Sequence, residues 1–320
     1  LLTISYIALS PRAGMAVVSA SMDGIALTLP SFMGGAASVV WHKGNGNVYV
    51  STNGSYLVEL RVSDLKILRD KDLKAGQAHQ LTSDGNFIYV HVTGNKHKIL
   101  KIRTSDLAVV NSTPSLNGSG SPEGFLFLKG SMFVAIGGPP GKIVKVNPKD
   151  MTVLHTWNLP NGIENHGFTT DGTNLFVLGV SKRNVAKDKY FKLSPSLKLL
   201  KTITFPYVGS LGGNVYFPPN GSIYTSGGKL ARLNPQTMAI IRSKSPGEHW
   251  LTADRNWIYC INYNGYIRVV NPKTLAVVFS KNTGSKNLHY GIVQNGYLWV
   301  APEVGHTYGV VGWYKLYPAP

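Results

Sequence analysis

The chain has 320 residues, and its 32 Lys plus Arg against 15 Asp plus Glu leave a formal net charge of +17. Charged residues make up only 15% of it, below the roughly 25% of an average soluble domain, while 35 glycines and 18 prolines punctuate it, a composition that excludes coiled coils and disordered acidic tails. The single cysteine, Cys260, excludes an internal disulfide and a cysteine-built zinc site.

In chain order, residues 1–22 read as an extended arm. Arg12 and Asp23 are the only charges in the first 40 residues, and Pro11 interrupts any helix there. Leu2, Ile4, Tyr6 and Ala8 share one face at period two, and Met15 and Val17 belong to a second short strand. Both strands want a sheet edge. The chain starts at Leu1 rather than Met, which predicts a removed leader and hence an extracellular or cell-surface location. No apolar run is long enough for a transmembrane helix. The sequons opened by Asn53, Asn111, Asn117 and Asn220 are compatible with secretion.

From residue 23 onward the chain repeats. One phrase recurs as Arg61-Val-Ser-Asp-Leu65, Arg103-Thr-Ser-Asp-Leu107, Val146-Asn-Pro-Lys-Asp-Met151, Leu193-Ser-Pro-Ser-Leu197, Leu233-Asn-Pro-Gln-Thr-Met238 and Val270-Asn-Pro-Lys-Thr-Leu275. Asn-Pro and Ser-Asp supply turn chemistry, and the apolar pair that follows most copies resumes a β pattern. The closing Leu or Met residues lie 42, 44, 46, 41 and 37 residues apart. A second element keeps phase with them in seven copies, among them Phe87-Ile-Tyr-Val90, Leu175-Phe-Val-Leu178 and Trp257-Ile-Tyr-Cys260, most of them preceded by a hairpin turn such as Ser83-Asp-Gly85. Each unit therefore reads as a four-stranded antiparallel meander. A period in the forties made of short strands indicates propeller blades. The expected fold is all-β: a seven-bladed β-propeller over 23–320, its last blade completed by Asp23–Leu29, with residues 1–22 left over. Such closure ties the first repeat to the last and removes the open edge.

The turn-flanked Ile-Tyr-Val strand followed by Val270-Asn-Pro-Lys-Thr-Leu-Ala-Val-Val278 resembles the YVTN-type and quinoprotein-like seven-bladed propellers over about residues 24–320. That superfamily includes dehydrogenases, lyases, binding proteins and surface-layer components, so the resemblance implies the fold and leaves the activity open.

Candidate chemistry falls at the start of each innermost strand. His79, His166, His249 and His289 each stand five residues before a turn residue (Asp84, Asp171, Asp254, Gln294), and Glu123, Glu164 and Glu248 fall in the same entry segments. Together they predict a rim of imidazoles and carboxylates at one mouth of the channel, a donor set suited to a divalent metal or to acid–base work. The resemblance to antibiotic-inactivating propeller lyases, which use His and Glu with a metal at a channel mouth, points the same way. Lys96, Lys98, Lys142, Lys182, Arg183, Lys187 and Lys189 lie in hairpins of the same mouth and would attract an acidic polysaccharide or an anionic cell surface. Aromatic interleaving of the kind that stacks bases is not evident, so no specific nucleic-acid partner is expected.

The leading functional expectation is a non-enzymatic, extracellular propeller without a cofactor. It would assemble with copies of itself by donating its N-terminal strand to a neighbour, as a surface or filament component. The alternative is a metal-assisted lyase or anionic-ligand-binding propeller using the His/Glu rim.

Overall fold

The computed structural model describes residues 22–94, 97–117, 120–181, 188–206, 213–245, 250–284, 288–302 and 310–316. The arm residues Leu2, Ile4, Tyr6, Ala8, Met15 and Val17 lie outside them.

The repeated phrase builds the hairpin that joins the third and fourth strands of a blade. In Val146–Met151 the Asn147 side chain accepts the Lys149 N–H at 3.1 Å, and the Met151 N–H closes the loop on the Asn147 carbonyl at 2.8 Å. The same pattern recurs with Asn234 and Met238 (2.7 Å) and with Asn271 and Leu275 (2.8 Å). Arg61 and Asp64, and Arg103 and Asp106, form ion pairs across the Ser-Asp loops. Closing the loop forces the last residue into the left-handed region. Leu65, Leu107, Met151, Leu197, Met238 and Leu275 have φ between 56° and 64°, yet all six side chains are buried. A β-bulge follows in every copy, leaving Leu68, Val110, Leu154, Leu200, Ile241 or Val278 as the extra residue.

The other recurring element supplies the core. The tyrosine of each Ile-Tyr-Val strand is buried, and its hydroxyl finds a partner. Tyr89 and Tyr259 donate to Asp84 and Asp254 at 2.8 and 2.6 Å, and these carboxylates also accept turn N–H groups. Tyr224 donates to the Pro272 carbonyl of the next sheet at 2.6 Å. A buried phenol without such a partner would be costly.

Twenty-eight strands, β1 to β28 in chain order, form seven four-stranded antiparallel sheets among the described residues. The innermost strands are β2 (Ala36–Trp41), β6 (Gln77–Ser83), β10 (Pro122–Leu128), β14 (Ile163–Thr170), β18 (Asn214–Phe217), β22 (Trp250–Ala253) and β26 (Leu288–Gln294). Each touches the next around the circle, and β26 touches β2. Seven apolar clusters fill the seven seams between sheets, one per seam. The arrangement is a β-propeller. In the last sheet the order is β1-β28-β27-β26, with β1 (Met22–Thr28) paired antiparallel to β28 (Val310–Leu316) from Met22↔Leu316 to Thr28↔Val310. Cys260 is buried in the seam between β18 and β22, and burial pushes its thiol up to about 12, so it is a small apolar residue of the core, as its place in the strand predicts.

Candidate functional site

Five innermost strands carry a bulge in their first half, and the extra residues are Ala37 in β2, His79 and Gln80 in β6, Glu123 in β10, His166 and Gly167 in β14, and His289 in β26. A bulge takes a residue out of the ladder and re-aims its side chain. The register thus picks out four residues that the sequence nominates by position. His249 and Glu248 lie outside the described residues, as does the side chain of His289.

The described members form two neighbouring groups. In the first, His79 and Gln80 bulge opposite His91 of β7 (Phe87–Thr93), and His91 contacts His97, with Nε2 and Nδ1 3.1 Å apart. All three imidazoles are buried. Burial, reinforced by His97, pulls His79 down to about 4, and burial with its two histidine neighbours holds His91 well below its ordinary value. His97 is lowered by burial and by the Lys142 ammonium. The His79 ring stands edge-on to Tyr290 at 6.4 Å between centroids, and Tyr290 meets Trp250 at 4.8 Å. These rings come from the second, last and sixth sheets. Between the second and the last sheet runs β2, whose Ala36 and Ala37 are small and fully buried. Burial thus favours the neutral form of all three imidazoles.

In the second group, His166 Nε2 lies 3.4 Å from Glu164 Oε2 in β14, and both side chains are buried. Glu123 approaches from β10: a Cβ at Gly137 would stand 3.0 Å from its Oε1 and 3.4 Å from the Asn165 carbonyl. A Cβ at Gly141 would fall 2.4 Å from the Asn165 N. The Gly137–Gly141 loop, which reads in the sequence as mere punctuation, is thus glycine at the points where it presses on the start of β14. The Glu164 carboxylate beside the His166 imidazole makes a buried, hydrogen-bonding pair. Among the described residues no three His, Cys, Asp or Glu are grouped so as to hold a metal ion.

The basic set is only partly described. Lys96, Lys182, Arg183 and Lys187 lie outside the described residues. Lys98 and Lys189 open β8 (Lys98–Arg103) and β16 (Lys189–Leu193), with the Lys189 ammonium donating to Thr204 Oγ1 at 2.7 Å. Lys142 is partly buried. Its ammonium donates to the carbonyls of Leu116, at 3.0 Å, and Asn117, and burial lowers its pKa, so it ties down a loop.

His91 and His97 are the residues that sequence reasoning missed. His91 follows Tyr89 at period two and so falls on the same buried face. His97 was hidden between two lysines.

The fold and this mouth define a β-propeller with a polar inner rim. No protein-family model matches the chain, and no curated protein shows detectable similarity to it. Among solved structures, the crystal structure of BamB from Moraxella catarrhalis is similar with a TM-score of 0.61 at 15% identity, over 88% of this chain and 83% of that one. At that identity the likeness shows the fold alone. No described helix is long and apolar enough to cross a membrane.

Proposed function

We propose that the protein is a non-catalytic extracellular scaffold that joins copies of itself through its N-terminal segment. One observation carries the reading: residues 22–316 supply every strand of all seven four-stranded sheets. In residues 1–21, which precede the first of these strands in the sequence, Leu2, Ile4, Tyr6 and Ala8 alternate onto one face. An alternating segment of this kind, uncharged as far as Pro11, is suited to adding a strand to an open sheet edge. Deleting residues 1–20 is expected to leave the far-ultraviolet circular dichroism and melting temperature of the propeller intact and to convert assemblies into monomers in analytical ultracentrifugation. An unchanged sedimentation profile would sink the reading.

A second reading is favoured by the bulge that turns His166 out of its ladder beside Glu164: a ligand-binding or metal-assisted mouth in which Glu164 and His166 take part. Titration calorimetry with Mn²⁺ or Zn²⁺ tests it. Binding in the native protein that weakens at least tenfold in a Glu164→Gln, His166→Ala double variant supports the site. Equal binding by both proteins, or by neither, removes it.

A further inference from the structure

The outermost strands are not equally protected. A sheet edge offers unpaired N–H and C=O groups, and proteins guard such edges with charged side chains, above all lysine, or keep them short. β5 (Ile67–Asp72) carries Arg69 and Lys71, β17 (Leu199–Thr204) carries Lys201, β21 (Ile240–Lys244) carries Arg242 and Lys244, and β25 (Val277–Asn282) carries Lys281. β1 carries Asp23. β9 (Val109–Ser112) is uncharged but only four residues long, and its Asn111 side chain is engaged with the Asp150 carbonyl of the next sheet at 3.1 Å. β13 (Val153–Asn158) is different. It is six residues long, Val-Leu-His-Thr-Trp-Asn, without Lys, Arg, Asp or Glu, and His155 is its one ionisable side chain. It ends its sheet in the order β10-β11-β12-β13. Leu154 is 53% exposed, the most exposed apolar side chain on any described outermost strand. Trp157 is only half-buried, with its ring against Phe191 of the neighbouring sheet at 5.3 Å.

We propose that the free edge of β13 is the acceptor for residues 2–8 of a second copy of this chain, which add to that sheet as a fifth strand. The inference rests on the assembly reading above and specifies its receiving surface. Three features fit the occupant. Residues 1–11 carry no charge, like the edge they meet. Six or seven extended residues span about 20 Å at roughly 3.3 Å each, the length of β13. A strand added beside β13 continues the alternation of its faces, so Leu2, Ile4 and Tyr6 can extend the apolar side on which Trp157 is incompletely covered. The position of the acceptor favours another copy over the chain's own arm. The arm leaves from β1 in the last sheet, whereas β13 belongs to the third, three seams away around one side of the ring and four around the other. Donor segment and acceptor edge are unlike patches, and a contact between unlike patches propagates head to tail instead of closing as a two-fold dimer.

The test uses the full-length chain in sedimentation velocity over a concentration series. Thr156→Lys places a lysine on the β13 edge, and Thr202→Lys places one on β17 as a control; both positions are exposed. Thr156→Lys is expected to weaken association at least tenfold, and Thr202→Lys to leave it unchanged. A Ser5→Cys, Thr156→Cys variant treated with the thiol oxidant diamide should also give a ladder of disulfide-linked multimers on non-reducing gels. The buried Cys260 does not compete, and each single-cysteine variant should give no ladder. If Thr156→Lys assembles like the native chain and the double-cysteine variant gives no ladder, while deletion of residues 1–20 still yields monomers, the acceptor is elsewhere and the assembly reading stands. If that deletion leaves assembly unchanged, or the native chain is monomeric throughout, both readings fall.

Discussion

Lowering the pH from 7.5 to 4.5 is expected to strip the propeller of several kcal/mol of stability, because buried histidines of its second sheet favour their neutral form. His79 titrates near 4 in the native state against 6.5 for an ordinary imidazole, and His91 lies well below 6.5 as well. Native pKa values lower than unfolded ones mean that the unfolded chain takes up protons first as the solution is acidified. The contribution is therefore complete above about pH 6.5 and drains away as the pH falls towards 4. At about 1.4 kcal/mol per pH unit, His79 alone accounts for about 3 kcal/mol over that window. It is buried, so solvent screening offers little relief. The groups around the cluster do not reverse the sign: His97 and Lys142 are basic, and Tyr290 is neutral. Denaturant unfolding at pH 7.5, 5.5 and 4.5 reads the loss directly. His79→Phe keeps the edge-on contact with Tyr290 and removes one titration, so its stability should fall less steeply by about 2 to 3 kcal/mol across the same range. Parallel pH profiles for the two proteins would show that His79 is already protonated, or solvated, in the native state.

The same cluster marks where sequence reasoning stops. The repeat was legible because its determinants are local: an Asn-Pro or Ser-Asp turn, a Gly-bearing hairpin and a Tyr at the centre of an alternating strand each act within a few residues. The nomination of His79, His166 and Glu123 also rested on local spacing, and the structure puts each in a bulge. What their side chains meet depends on other sheets. Nothing near His79 in the sequence announces that its ring will meet Tyr290 of the last sheet. Nor does Lys96-His97-Lys98, which reads as a charged hairpin, announce that its imidazole turns inward to His91. A bulge also breaks period two, so face assignments beyond it cannot be carried along the strand by counting. The engagement of Lys142 is invisible locally for a related reason: the carbonyls that accept from its ammonium belong to Leu116 and Asn117, 26 and 25 residues earlier.

The second large effect concerns the residue that closes each repeated loop. Six buried side chains sit at φ near +60°, where an L-residue crowds its Cβ against the following carbonyl at roughly 1 to 2 kcal/mol. Glycine would relieve that strain but would leave a hole in a seam: Leu107 packs with Ile102, Leu100 and Leu73 in the cluster between the first two sheets. The position needs a side chain that is large, apolar and unbranched at Cβ, since a second γ-carbon makes positive φ a true outlier. Leucine and methionine meet all three demands. Only these two occur there, whereas valine and isoleucine fill the strand positions immediately around them. Leu107→Met should therefore cost less than about 1.5 kcal/mol, as volume-conserving swaps do. Leu107→Ala should cost about 2 to 5 kcal/mol through the cavity it opens. Leu107→Ile is the decisive variant. It keeps the volume and hydrophobicity of leucine, so packing alone predicts a loss as small as that of methionine, whereas backbone strain predicts a loss of about 3 kcal/mol, close to that of alanine. Urea denaturation of the three variants, compared by midpoint at unchanged m-value, separates the two effects. Indistinguishable midpoints for Ile and Met would show that the loop relaxes around a branched side chain, and that the choice of leucine and methionine in all six copies has another origin.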